Sequence, residues 1–237
     1  MSTSSRWCMP STTSAGSTRS ARSARPGRAR SRASAGSLAQ LSPDSGSKLR
    51  TFAISTLCRL AHASSASRLQ LLKANALSIF MRLLSEPRWQ APALDAAVTW
   101  LSEDLPRIEP KLMQDDSLWV FSSIFEKWKV QLTAGEGVGE LKGLHRILMA
   151  SRRINVALSE GPLPSLVVAM LRDDRPMTSL PLLKILRALY EAHPHPKEFI
   201  ILHRIHSVVQ TLAERGKSAL VAKQAQNLLD AFQINSI

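Results

Sequence analysis

The stretch TSLPLLKILRALYEAHPHPK, residues 178–197, decides the fold. Leu182, Ile185, Leu186 and Leu189 recur at helical spacing, and Lys184, Arg187 and Glu191 share the opposite face. The His-Pro-His-Pro run at 193–196 then stops the helix, because a residue before proline is pushed out of the helical region. A helix with one apolar face needs a neighbour to cover it. Similar units lie on both sides of this one at a nearly fixed interval, so the chain reads as a stack of helical repeats.

Working outward, Ile154 to Ser159 reads as a short helix and Gly161-Pro162 as a break. Leu163, Leu166, Val167 and Met170 mark a second helix, and 173–176 a loop before the long helix. The same order returns as Pro196 to Leu202, then Ile205, Val208, Val209 and Leu212, a break at Gly216, and a last helix with Leu220, Ala225, Leu228, Leu229 and Phe232. Upstream, Leu49, Phe52, Leu57 and Leu60 predict a first helix, Arg68 to Lys73 a short second one, and Leu77, Phe80, Leu83 and Leu84 the apolar face of a third over 76–86. Pro92 suits the first turn of a helix through Ala97 and Trp100.

Leu77, Leu163 and Ile205, taken as equivalent anchors, are spaced by 86 and 42 residues, so one unit is hidden near residue 120. There Leu118, Phe121, Ile124, Phe125 and Trp128 form an apolar face, followed by Leu141, Leu144, Ile147 and Leu148. A period near 42 falls in the armadillo and HEAT range of roughly 40–47 residues. The expectation is an all-α armadillo/HEAT-like helical repeat solenoid of about four repeats over 48–237, with the Gly-rich stretch 131–139 as a mobile loop.

Residues 1–47 are built from Ser, Arg, Ala, Thr and Gly and cannot bury enough apolar surface to offset ordering entropy, which predicts a disordered tail. The formal net charge is +13, and residues 1–48 carry eight Lys or Arg against one acid, so +7 of it sits in a fifth of the chain. An Arg/Ser-rich tail is compatible with phosphate contacts to nucleic acid, with a transit peptide, or with phosphorylation at Ser31, Ser34 or Ser42. A mis-predicted start is a fourth reading. Trp7 alone is available there to stack on bases, which argues against nucleic acid.

Mean hydropathy is −0.05, no run of about 18 apolar residues exists, and Cys8 and Cys58 are the two cysteines. The expectation is a soluble, cytoplasmic protein with no disulfide framework and no cysteine zinc site. The loop Gly135-Glu-Gly-Val-Gly139 has no following Gly-Lys-Ser/Thr, and Glu136 and Glu140 would repel phosphate. His193, His195, His203 and His206 cluster in sequence, but the expected roles are capping and loop contacts. Asp115-Asp116 and Asp173-Asp174 precede helices, where carboxylates cap free N–H groups. Neither a cofactor nor a metal is expected.

A binding function remains. Trp89, Trp100, Trp119 and Trp128, with Phe121 and Phe125, fall at core spacing. If one is an exposed anchor it is Trp89, in a Pro-flanked loop beside Arg88. The second candidate surface is a basic ridge of Arg146, Arg152, Arg153, Arg172, Arg175, Lys184 and Arg187.

The runs LHRILMASRRINVAL (144–158), LLKI (182–185), LYEAHPHPK (189–197), VAK (221–223) and NLLDAFQIN (227–235) resemble the C-terminus of the fungal septation-initiation protein kinases and their plant relatives, the epsilon-type MAP kinase kinase kinases. The resemblance is specific over about 140–237, weaker over 49–139 and absent over 1–47. It implies an armadillo-like region of a serine/threonine kinase associated with cytokinesis, a small Ras-like GTPase as partner, and a place at the spindle pole body or septum. The chain has no Gly-rich loop followed by V-A-I-K, no H-R-D and no D-F-G, so no catalytic residue carries over. The resemblance thus implies a kinase tail without its kinase. The expected function is a non-catalytic protein-binding module; the alternative is a nucleic-acid-binding protein acting through the Arg/Ser tail.

Overall fold

The computed structural model describes residues 43–114, 117–133 and 137–234. Among these residues there are thirteen helices and no strand. After α1 (Pro43–Ala63) the helices recur in threes: α2 (Ser65–Lys73), α3 (Ala76–Leu83) and α4 (Gln90–Glu103); α5 (Leu105–Gln114), α6 (Ser117–Thr133) and α7 (Val138–Ala150); α8 (Arg152–Ser159), α9 (Leu163–Leu171) and α10 (Pro176–Ala192); α11 (Pro196–His203), α12 (Ile205–Arg215) and α13 (Ala219–Ile234). The units begin at Ser65, Leu105, Arg152 and Pro196, so they are 40, 47 and 44 residues apart. The hidden unit near residue 120 is α5–α7.

Local chemistry sets the breaks. Ser64 caps α2 by accepting from the Ser67 N–H at 3.1 Å, and Ser151 caps α8 by accepting from Ile154 at 3.1 Å. Asn75 (φ 54°) and Arg204 (φ 50°) turn the chain through the left-handed region between the first and second helices of their units. His193 and His195, each before a proline, are held out of the helical region, His193 in extended backbone, and α10 ends at Ala192.

Among the described residues, the main contacts between units join neighbours in sequence. The third helices form one row, with α4 against α7, α7 against α10 and α10 against α13. The second helices α6, α9 and α12 form another, and α5 packs on α8. The core runs along the stack: Leu182, Leu183, Ile185, Leu186, Leu189 and Tyr190 of α10 are fully buried. Phe80 meets Trp100 edge-on at 5.9 Å, and Tyr190 meets Phe232 at 4.8 Å. Gly143 lets α7 approach α4, since a Cβ there would lie 2.6 Å from Leu94 Cδ2.

Several expectations need correction. Helix α5, with Pro106 and Pro110, has no counterpart in the sequence reading; Pro106 falls in the first turn, where its missing N–H costs nothing. Helix α1 begins at Pro43, so residues 43–47 are helical; the remainder of the expected disordered tail lies outside the described residues. On α1, Leu49 and Phe52 are exposed, and Ile54, Cys58 and Ala61 are the buried residues. Leu220 is likewise exposed. Both reversals fall in α1 and α13, the first and last of the described helices. Helix α6 runs to Thr133 and α7 begins at Val138, so most of the stretch expected as a loop is helical; residues 134–136 lie outside the described residues. Trp89 and Trp119 exchange places. Trp89 is buried (8% exposed) and Trp119 is 63% exposed. Trp89 stands just before α4, where its ring turns into the stack and the Arg88 guanidinium lies 5.2 Å above it, so it is not an exposed anchor.

Candidate protein-binding surface

The exposed side of the third-helix row gathers charge because the buried side takes most of the large apolar residues, leaving Met149, Met177, Leu220 and Ile234 exposed. On α7, Leu141, Leu144, Ile147 and Leu148 point inward, leaving Lys142, Arg146 and Met149 exposed and His145 half-buried. On α10, Lys184 and Glu191 are exposed and Arg187 is half-buried. A groove of about 320 Å³ between the two helices is lined by His145, Met149, Lys184, Arg187, Ala188 and Glu191. Arg187 Nε donates to Glu191 Oε1 at 2.6 Å. Arg146 Nη1 donates to Asp95 Oδ1 of α4 at 3.0 Å, and His62 of α1 lies 3.4 Å from Asp95 Oδ2. Lys184 has no ion pair among the described residues. Burial, then the Lys184 ammonium, holds His145 below the usual imidazole range, so the positive charge of the groove belongs to Lys184 and Arg187.

The expected basic ridge is three places. Arg146, Lys184 and Arg187 sit on the third-helix row. Arg152 and Arg153 begin α8 and line a cavity with Met113, Val156, Ala157 and Glu160. Arg172 ends α9 and lines a cavity between α9 and α12 with Asp174 and Arg215. Arg175 precedes α10, its carbonyl accepting from the N–H groups of Thr178 and Ser179. First, second and third helices of one unit present different sides of the stack, so basic residues that are close in sequence diverge in space.

The polar clusters do not assemble chemistry. Cys58, His62 and Asp95 lie together, but burial, then Asp95, pushes the Cys58 thiol up, and His62 turns its Nε2 to Asp95. Among the described residues Cys58 makes no hydrogen bond to His62, so the arrangement does not activate a nucleophile. His193 Nδ1 accepts from the His195 N–H at 3.0 Å, and His203 Nδ1 pairs with Ser165 Oγ at 2.9 Å. The rings of His193 and His203 pack on Phe199 at 5.0 and 4.9 Å. No group of three metal-ligating side chains is present among the described residues. Asp174 does not cap α10, as expected, but accepts from the Lys217 N–H at 3.3 Å across one unit; Asp115 and Asp116 lie outside the described residues.

Asp95, His145 and Met149 are surface members that the sequence reading missed. Met149 is legible as the one large apolar residue of α7 that falls off the Leu141-Leu144-Ile147-Leu148 stripe. Asp95, 51 residues from Arg146, carries no such signal.

No protein-family model matches the chain. It is 32% identical over 202 residues to MAP3K epsilon protein kinase 1 of Brassica napus, covering 81% of this chain and 15% of that protein. It is 26% identical over 186 residues to cytokinesis protein sepH of Aspergillus niger, covering 77% and 14%. With cell division control protein 7 of Schizosaccharomyces pombe it shares 23% identity over 187 residues, covering 78% and 17%. The chain is therefore homologous to a segment of the epsilon-type MAP kinase kinase kinases and fungal septation kinases, and spans about a seventh of the length of these relatives. Among the described residues no single helix is long and apolar enough to cross a membrane; the apolar pair α8 and α9 is bent by 74°, and its large apolar residues are largely buried in the stack.

Proposed function

We propose that this chain, homologous to a segment of septation and epsilon-type kinases, is a non-catalytic armadillo-like module that binds a protein partner on the exposed side of its third-helix row. The observation that carries the reading is the α7–α10 groove. Among the described residues Lys184 has no ion pair there, Met149 is 66% exposed and lines the same groove, and Arg187, paired with Glu191, lines it too. Exposed apolar area next to positive charge is the composition of an interface, where the charge steers encounter and the apolar residue supplies burial. Residues 48–237 are assigned to the repeat domain, 1–47 to a separate Ser/Arg-rich segment, and the whole to the C-terminal regulatory part of a septation kinase. A catalytic role has no support: the sequence holds no kinase motif and the described residues are helical throughout their regular structure.

The names of two relatives, a cytokinesis protein and a cell division control protein, support a role in cytokinesis; the small Ras-like GTPase as partner and the spindle pole body or septum as place of action are what the resemblance to septation kinases implies. Calorimetry of the chain against a recombinant septation-pathway GTPase, loaded with GDP and with a GTP analogue, tests the partner. Binding that weakens at least about tenfold in the Lys184→Glu/Arg187→Glu variant supports both partner and surface. Binding that ignores those charges moves the site elsewhere.

A further inference from the structure

We propose that the groove between α5 and α8 is a second docking surface, for a protein segment that presents an acidic residue, an apolar anchor and a basic residue in that order. The groove encloses about 410 Å³ and is lined by Met113, Arg152, Arg153, Val156, Ala157 and Glu160. Its floor is apolar: Met113, Val156 and Ala157 are each half-buried. Its ends are charged, and the sign of each end is the reverse of what the helix favours. The N-terminus of a helix carries positive partial charge and the C-terminus negative, so acids belong at the start and bases at the end. Helix α8 has Arg152 and Arg153 as its first two residues, no acid in its first turn, and Glu160 at its C-cap. Each charge adds to the end of the dipole on which it sits. A local rule broken at both ends of one helix, with only a single carboxylate, Glu109, set against it within the chain, is the pattern of a functional surface.

Compensation inside the chain is incomplete. Glu109 of α5 accepts from Ser151 Oγ at 2.6 Å and lies 3.4 Å from Arg153 Nη1, which leaves one carboxylate against two guanidiniums and a helix N-terminus. Arg152 and Glu160 are exposed and make no ion pair among the described residues. The result is an apolar trough with a positive and a negative end, separated by the length of α8, about 12 Å for eight residues at 1.5 Å each. A complementary segment places its carboxylate over Arg152 and Arg153, its apolar side chain over Val156 and Ala157, and its cation over Glu160. If that segment is a helix, acid and base stand two turns apart on one face with the apolar residue between them.

This surface is distinct from the third-helix row, so the two are tested separately. The probe is a random-peptide phage library selected on the full chain, followed by fluorescence anisotropy of the recovered peptides. The proposal expects peptides that share the acid–apolar–base order and bind about tenfold or more weakly to the Arg152→Glu/Arg153→Glu variant. Ala157→Phe, which fills the trough without changing charge, weakens them as well, and Lys184→Glu/Arg187→Glu leaves them unchanged. A peptide with its charges exchanged recovers binding to the variant Arg152→Glu/Arg153→Glu/Glu160→Lys. Recovered peptides without the charge order, or peptides whose affinity follows Lys184 and Arg187 instead, overturn it.

Discussion

The indole N–H of Trp128 donates to Gln90 Oε1 at 3.1 Å, inside the core and across 38 residues. The bond ties the first residue of α4 to the middle of α6, one unit further along. Other polar links span the same distance: Ser151 to Glu109 (42 residues), Tyr190 Oη to the Ala231 carbonyl (41) and the Lys217 N–H to Asp174 (43). A stack in which each unit touches only its neighbours confines long-range contacts to about one repeat length. These bonds are therefore coupling points between units.

Replacing Gln90 with Leu leaves the Trp128 N–H buried and unpaired, which costs about 1–3 kcal/mol. Urea unfolding of Q90L, W128F and the double variant measures it. Because the two groups serve each other, the double variant should lose less than the sum of the single losses; simple additivity would mean that the bond contributes nothing.

Arg68 is buried on α2 and donates from Nε to Asp104 Oδ2 at 2.8 Å, at the junction of α4 and α5. Asp104→Ala strands a guanidinium whose remaining acid, Glu103, is 3.5 Å away. The expected loss is about 3 kcal/mol, larger than for Arg68→Met, which removes the buried charge along with its partner. Equal melting temperatures for the two variants would contradict this ordering.

Gly143→Val drives a branched side chain into Leu94 at the contact of α4 and α7, where even a single added carbon has no room. Overpacking of this kind costs about 1–3 kcal/mol, and the loss should fall when Leu94 is shortened to Ala in the same chain. Thermal melts of the single and double variants decide it.

His145 and His203 are both held below the ordinary imidazole range, chiefly by burial, with Lys184 and His193 respectively adding to it. A histidine with a lowered folded-state pKa takes up its proton more readily when unfolded. Its contribution is fully present above the unfolded value of 6.5 and is lost as pH falls through the folded value. Stability should decline on acidification below about pH 6.5. Proton NMR titration of Lys184→Gln should move the His145 midpoint upward and leave that of His203 in place.

The legible part of this protein was its periodicity. The face Leu182-Ile185-Leu186-Leu189 and the His-Pro-His-Pro stop identify α10 because both are local rules, one of side-chain direction and one of backbone sterics. The repeat interval followed from the equivalent anchors Leu77, Leu163 and Ile205, and the unit at α5–α7 from the gap between them. Helix α5 escaped because proline in a first turn looks in sequence like proline in a loop.

The surface was legible only in part. Arg146, Lys184 and Arg187 share one side, yet Arg152, Arg153, Arg172 and Arg175, equally basic and interleaved with them in sequence, lie elsewhere. Sequence by itself determined the helices other than α5, the repeat interval that groups them and most of their inward faces, since those depend on residues within one or two turns. Tertiary structure alone decided which outward faces meet, which of Trp89 and Trp119 is covered, and which cation keeps a free charge. Those outcomes depend on what the next unit, some forty residues away, brings against each side chain, and no local pattern encodes that distance.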